Sequence, residues 1–164
     1  MNHIRSSVAG ATLNNGTVLW VTGGYEAKFK DQKTTEFVYF NGTVRPGPNL
    51  PESRARHCIV HLKDDKKVLI IGGYGTVAKS TLMVDLTNFK MTNGPDTFHE
   101  RYAFGCTVFN SPRHGKRQVV MVAGPDDTIG TEIWDYTKSN RWEKCKFVPY
   151  VSIETENRDD SKRR

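Results

Sequence analysis

Histidine and cysteine residues are present, but their spacing matches no metal or catalytic site. His57 and His61 are four residues apart, which on the predicted strand places them on one face about 13 Å apart, too far to share a metal ion. The three cysteines, Cys58, Cys106 and Cys145, lack C-x-x-C spacing, and their odd number leaves at least one thiol outside any disulfide within a monomer. The sequence predicts no metal and no cofactor, and it leaves the disulfide state open.

Motifs for nucleophilic catalysis and phosphate binding are not found. The chain contains no G-x-S-x-G and no G-x-x-x-x-G-K sequence. The acidic pairs Asp64-Asp65 and Asp126-Asp127 fall in predicted turns, where carboxylates favour turn geometry over acid–base chemistry. We therefore expect that the chain is not an enzyme.

The charge of the chain is basic but dispersed. Its 164 residues carry 24 Lys and Arg against 18 Asp and Glu, for a net charge of +6. Acidic and basic residues alternate, as at 63–67, and the one purely basic cluster lies at 113–117. Since nucleic-acid binding requires a basic stripe with stacking aromatic residues, a basic nucleic-acid binder is the third of our functional hypotheses.

The compartment is left open by the sequence. The first five residues lack the apolar region of a signal peptide, and no apolar run reaches the roughly 20 residues that cross a membrane. We expect a cytoplasmic location by default and a secreted one if the N-terminus is incomplete. The Asn-Gly-Thr sequences at 15–17 and 41–43 are predicted hairpin turns, and they are glycosylation sequons if the protein is secreted.

Apolar runs that end in paired small residues recur about every fifty residues. They cover 18–24, 68–73 and 119–124, and their last glycines are 49 and 51 residues apart. An arginine precedes each run, and a third apolar stretch follows it. The sequence therefore predicts three units, at about 1–50, 51–97 and 98–148, and a polar, disordered tail at 149–164.

Each unit is predicted to contain four short strands. The apolar stretches are four to six residues long, rich in β-branched and aromatic residues, and bounded by Gly, Pro, Asn and Asp. The second stretch of each unit is apolar throughout, which is typical of a strand buried on both faces. Such strands belong within a stack of sheets.

These units resemble the kelch repeat, with its strand-opening Arg, its Gly-Gly doublet, and its later Tyr-Asp and Trp. The third unit carries Trp134-Asp135 and Trp142, whereas Met91 replaces this last Trp in the second. In the third unit Ala123 replaces the first glycine of the doublet, as the smallest side chain at a close backbone approach. The resemblance implies an all-β fold of kelch-type β-propeller blades, namely three four-stranded antiparallel blades in a partial or open propeller.

The resemblance also implies a binding surface. In kelch propellers, arginines on the loops that enter the innermost strands bind acidic segments of partner proteins. Arg5, Arg54 or Arg56, and Arg101 occupy these positions. A guanidinium group suits carboxylates, but each arginine could instead bind a strand-end carbonyl or carboxylate and fix its blade.

The loops after the glycine doublets share this face and supply further candidates. A rigid scaffold commonly carries recognition on such loops. The candidate residues are Lys28, Phe29, Lys30, Thr76, Lys79, Asp126 and Asp127.

Three blades would leave two sheet faces uncovered. The chain is therefore part of a longer propeller, a unit that self-associates to complete a ring, or an open arc, and the sequence does not choose. The leading hypothesis is a non-catalytic protein–protein interaction module of kelch type. The alternative is a fragment of a propeller enzyme, oxidase- or lyase-like, whose catalytic residues lie in missing blades.

Overall fold

The computed structural model describes residues 4–26, 30–62, 66–112, 115, 117–124 and 130–145. This part of the chain forms three four-stranded antiparallel sheets and one two-stranded ribbon, with short 3-10 turns and no α-helix. We call the sheets blades 1, 2 and 3 in chain order. The predicted all-β fold of three four-stranded antiparallel blades is confirmed, and the described residues form no closed ring.

The strands of each blade follow one another in chain order across the sheet, apart from the ribbon. Blade 1 contains β1 (Ala9–Leu13), β2 (Val18–Thr22), β5 (Thr35–Tyr39) and β6 (Val44–Pro46). The ribbon of β3 (Tyr25–Glu26) and β4 (Lys30–Asp31) lies in the loop between β2 and β5. Blade 2 contains β7 (Cys58–Leu62), β8 (Lys67–Ile71), β9 (Thr81–Asp85) and β10 (Met91–Asn93). Blade 3 contains β11 (Gly105–Ser111), β12 (Arg117–Ala123), β13 (Thr131–Trp134) and β14 (Glu143–Cys145).

The core lies between the blades, which stack face to face. Val68 and Ile70 of β8 pack with Trp20 of blade 1, whereas Leu69 and Ile71 pack against blade 3. These four apolar residues of β8 are fully buried. Because neighbouring side chains of a strand point to opposite faces, the uninterrupted apolar run of β8 serves both interfaces.

The third unit aligns differently from the sequence prediction. Ala123 ends β12 and pairs with Gly105, as Ile71 pairs with Cys58 in blade 2. Gly124, and not Ala123, is therefore the equivalent of Gly72, so the predicted replacement of a doublet glycine by Ala123 is wrong. The cause is a longer hairpin. Because β11 and β12 have seven residues each, the residue numbers of the unit's arginine and glycine differ by 23 instead of 18.

The glycines after the second strands lie against the backbone of the next blade. A Cβ on Gly72 would lie 2.2 Å from the carbonyl oxygen of Arg101, and a Cβ on Gly23 equally close to that of Arg54. Both glycines have positive φ, at 61° and 56°. The amide of Gly73 then donates a hydrogen bond of 2.8 Å to the Arg101 carbonyl. The blades are thus joined by backbone contacts that leave no space for a side chain.

A disulfide joins the first strands of blades 2 and 3. Cys58 of β7 bonds with Cys106 of β11, their Cα atoms are 6.1 Å apart, and 48 residues separate them in sequence. Closing a loop of this length stabilises the folded state by about 4 kcal/mol in the chain-entropy model. Cys145 is not part of a disulfide.

Candidate partner-binding surface

One end of the stack is built from the loops that enter the first strand of each blade. Ser7, Arg56 and Ala103 occupy equivalent positions in these loops, and all three adopt positive φ, between 51° and 56°. The Arg56 amide donates to the Ser7 carbonyl at 3.0 Å, and the Ala103 amide donates to the Arg56 carbonyl at 2.8 Å. A row of hydrogen bonds between blades therefore places these residues side by side.

Three of the four predicted arginines are buried and bind their own blade. In blade 1, Nη1 of Arg5 donates to the carbonyls of Gly23, at 3.1 Å, and Thr34, at 2.9 Å. Arg54 and Arg101 repeat this arrangement in blades 2 and 3. Each guanidinium group joins the two ends of the loop between the second and third strands. These contacts match the alternative interpretation, in which each arginine binds strand-end carbonyls and fixes its own blade.

Carboxylates accompany two of these arginines. Arg101 forms a buried salt bridge of 2.6 Å with Glu132, whose carboxylate also accepts the Phe98 amide at 2.7 Å. The corresponding distance between Arg5 and Glu36 is 3.8 Å. Blade 2 has no acid at this position; Arg54 instead donates to Ser80 Oγ at 2.7 Å, and burial lowers its pKa.

Arg56 is the predicted arginine that reaches solvent. Its guanidinium carbon lies 5.7 Å from the ring centre of Tyr25 and 5.9 Å from that of Tyr74. The Tyr102 ring meets Tyr74 edge-on at 5.7 Å, and Tyr74 is 53% exposed. We call Tyr25, Arg56, Tyr74 and Tyr102 the tyrosine–arginine platform. Two aromatic rings hold the cation in place while its outer nitrogens remain available to a ligand.

The ribbon beside the platform carries charge of both signs. Burial and the nearby Asp31 carboxylate raise the pKa of Tyr25, while the Arg56 cation acts in the opposite direction. Glu26, in the same ribbon, accepts a hydrogen bond from the Gln32 amide group. Lys30 pairs with Glu26 across the ribbon, so the Tyr25 side of the platform presents acidic and basic groups together.

The remaining predicted loop residues divide into two groups. Lys30, in β4, and Thr76 and Lys79, near a 3-10 turn at Gly75–Val77, are exposed. The other four, Lys28, Phe29, Asp126 and Asp127, lie outside the described residues.

The tyrosines of the platform were not among the predicted site residues. Tyr25 and Tyr74 each follow a glycine doublet directly, which was the available signal in the sequence. The 3-10 turn and the β3–β4 ribbon were not predicted either.

His57 lies beneath the platform and links two blades. It is buried, and its Nε2 is 2.8 Å from the Thr22 hydroxyl of blade 1. Burial, reinforced by the Arg54 cation, lowers its pKa to about 3. His57 is therefore neutral at physiological pH and serves the junction between blades.

A cleft of about 960 Å³ opens at the opposite end, between blades 1 and 2. Its walls include Phe37, Tyr39, Leu86 and Phe89. The interface between blades 2 and 3 contains Trp134 and Trp142 at the positions where blade 2 has Val84 and Met91. At these two positions the first interface therefore has the smaller side chains.

Comparison with known proteins gives no identification, because no protein-family model and no curated protein matches the chain. Among the described residues, no three His, Cys, Asp or Glu side chains are grouped to hold a metal ion. No helix in that part of the chain is long and apolar enough to span a membrane.

Proposed function

We propose that this chain is a kelch-type propeller segment that acts as a non-catalytic protein-binding module. The proposal rests on the exposed, ring-supported guanidinium of Arg56 at one end of the stack. The repeat of a buried arginine, a left-handed loop residue and a glycine junction in successive blades supports the kelch-type assignment. The partner is a segment of another protein that carries carboxylates.

Two features of the platform favour a path for this segment on the Tyr74 side. Near Tyr25 the acids Glu26 and Asp31 lie beside Lys30, so the charge there is mixed, whereas residues 75–80 after Tyr74 carry the exposed Lys79 and no acid. Tyr74 is also exposed while Tyr25 is buried, so it offers ring surface. We therefore infer that an acidic segment crosses Arg56 on the Tyr74 side, with apolar groups against this ring.

Charge reversal at Arg56 tests this function. An array of Asp- and Glu-rich peptides identifies binders of the folded chain, and their affinities are then measured for the variant R56E. Since the substitution replaces attraction by repulsion at the centre of the surface, we expect affinity to fall at least tenfold, or about 1.4 kcal/mol. The Arg56 side chain is exposed and its hydrogen bonds to the neighbouring blades are made by its backbone, so the unfolding midpoint should change little.

Arg45 supplies a matched control. It is also exposed and lies over a tyrosine ring, at 5.6 Å from Tyr39, but it belongs to the outer strand β6. We expect R45E to bind acidic peptides within twofold of wild type. Equal losses in R45E and R56E would indicate a general effect of net charge, and unchanged binding by R56E would exclude the platform.

A further inference from the structure

An exposed glycosylation sequon lies at the outer edge of blade 1. Asn41, Gly42 and Thr43 form the turn between β5 and β6, and all three residues are exposed. The Asn41 Oδ1 accepts the Thr43 amide at 3.0 Å, and no atom beyond its two chain neighbours lies within 4 Å of a Cβ built on Gly42. The preceding Phe40 is 95% exposed. The folded chain thus has open space for a bulky group on Asn41.

The Cys58–Cys106 disulfide gives an independent indication of compartment. Disulfides form and persist where the surroundings are oxidising, as in the secretory pathway. Forming this bond removes two protons and two electrons from the thiols, which an oxidising protein disulfide of that compartment accepts. The same pathway attaches glycans to Asn-x-Ser/Thr sequences.

We propose that Asn41 carries an N-linked glycan. In the transfer step, Nδ2 of Asn41 bonds to the anomeric carbon of a lipid-diphosphate-linked oligosaccharide. The anomeric C–O bond to the diphosphate breaks, the lipid diphosphate leaves, and Nδ2 loses one proton. The Asn41 turn lies at the end of the stack opposite the tyrosine–arginine platform, so a glycan there leaves the platform accessible.

The test uses the full chain, secreted from eukaryotic cells behind a cleavable signal sequence. The substitution Asn15→Gln removes the other sequon, so that Asn41 is the remaining acceptor. In this background Thr43→Ser keeps the sequon and Thr43→Ala removes it. Intact masses are measured before and after treatment with peptide N-glycosidase, which leaves Asp at a formerly glycosylated position.

We expect the Thr43→Ser chain to lose a glycan mass on treatment and to contain Asp at position 41. The Thr43→Ala chain should have the unmodified mass while keeping the same unfolding midpoint. Thiol titration of the denatured chain should find one thiol, that of Cys145. A folded Thr43→Ser chain without a glycan would overturn the proposal. Three titratable thiols would show that Cys58 and Cys106 are not bonded, and the evidence for an oxidising compartment would then be lost. Neither result depends on peptide binding by Arg56.

Discussion

Lowering the pH should destabilise the junction between blades 1 and 2 through His57. The imidazole is buried against Thr22, and its pKa falls from 6.5 to about 3 in the folded chain. Between these two values the unfolded chain binds a proton that the folded chain does not. The stability that the neutral His57 contributes is therefore fully present above about pH 6.5. This contribution falls as the pH drops below that value and is fully lost below about pH 3.

The expected loss at pH 5 is about 2 kcal/mol. The unfolded pKa lies 1.5 units above this pH, and each unit corresponds to about 1.36 kcal/mol. Since the folded pKa lies well below 5, the loss at pH 5 depends almost entirely on the unfolded value. Most carboxylates titrate below this range, so the histidine contribution can be separated from theirs.

Urea unfolding at pH 7.5 and pH 5.0, with the disulfide intact, measures this loss. We expect wild type to lose about 2 kcal/mol and His57→Gln to lose almost none, whatever its stability at pH 7.5. The control His99→Gln, which alters a half-buried histidine, should keep the wild-type difference. If wild type and His57→Gln show the same dependence on pH, His57 is not held neutral by burial and the reasoning fails.

Two further substitutions test the contacts between blades. Gly72→Ala should lower the free energy of unfolding by more than twice as much as Gly42→Ala. Both glycines have positive φ, but only a Cβ at position 72 would lie against the Arg101 carbonyl. Equal losses in urea unfolding would refute this close approach. Under non-reducing conditions, Cys58→Ser should lower the free energy of unfolding by about 4 kcal/mol, and Cys145→Ser should lower it by far less. Similar losses in the two variants would contradict the disulfide between blades.

The strand pattern of the three blades was predictable because their apolar runs and hairpin turns carry a local signal. The apolar run of β8 and the Asn-Gly turn at 41–42 are visible in composition alone. The alignment of the third unit was not, because the hairpin of β11 and β12 is longer than its counterparts. Counting from one small-residue pair to the next cannot show on which side of the pair the extra residues lie.

The burial of the arginines was also beyond the sequence. Arg54 and Arg56 are two residues apart, and in a regular strand their side chains would share a face. Arg56 instead adopts φ of 56°, which breaks the alternation, and it is exposed while Arg54 is buried. A non-glycine residue in the left-handed region is uncommon, and no residue type in the sequence marked it.

The repeat itself separates the arginines that the fold requires from the one that it does not. Arg5, Arg54 and Arg101 recur because each blade needs a buried donor for its loop carbonyls. At the position of Arg56 the other blades have Ser7 and Ala103, and all three residues share the same backbone conformation. Since serine and alanine form this junction equally well, blade geometry does not account for the exposed guanidinium at position 56. The proposed binding to an acidic partner would account for it, and under that proposal Arg56 is the residue at which function and stability can be altered separately.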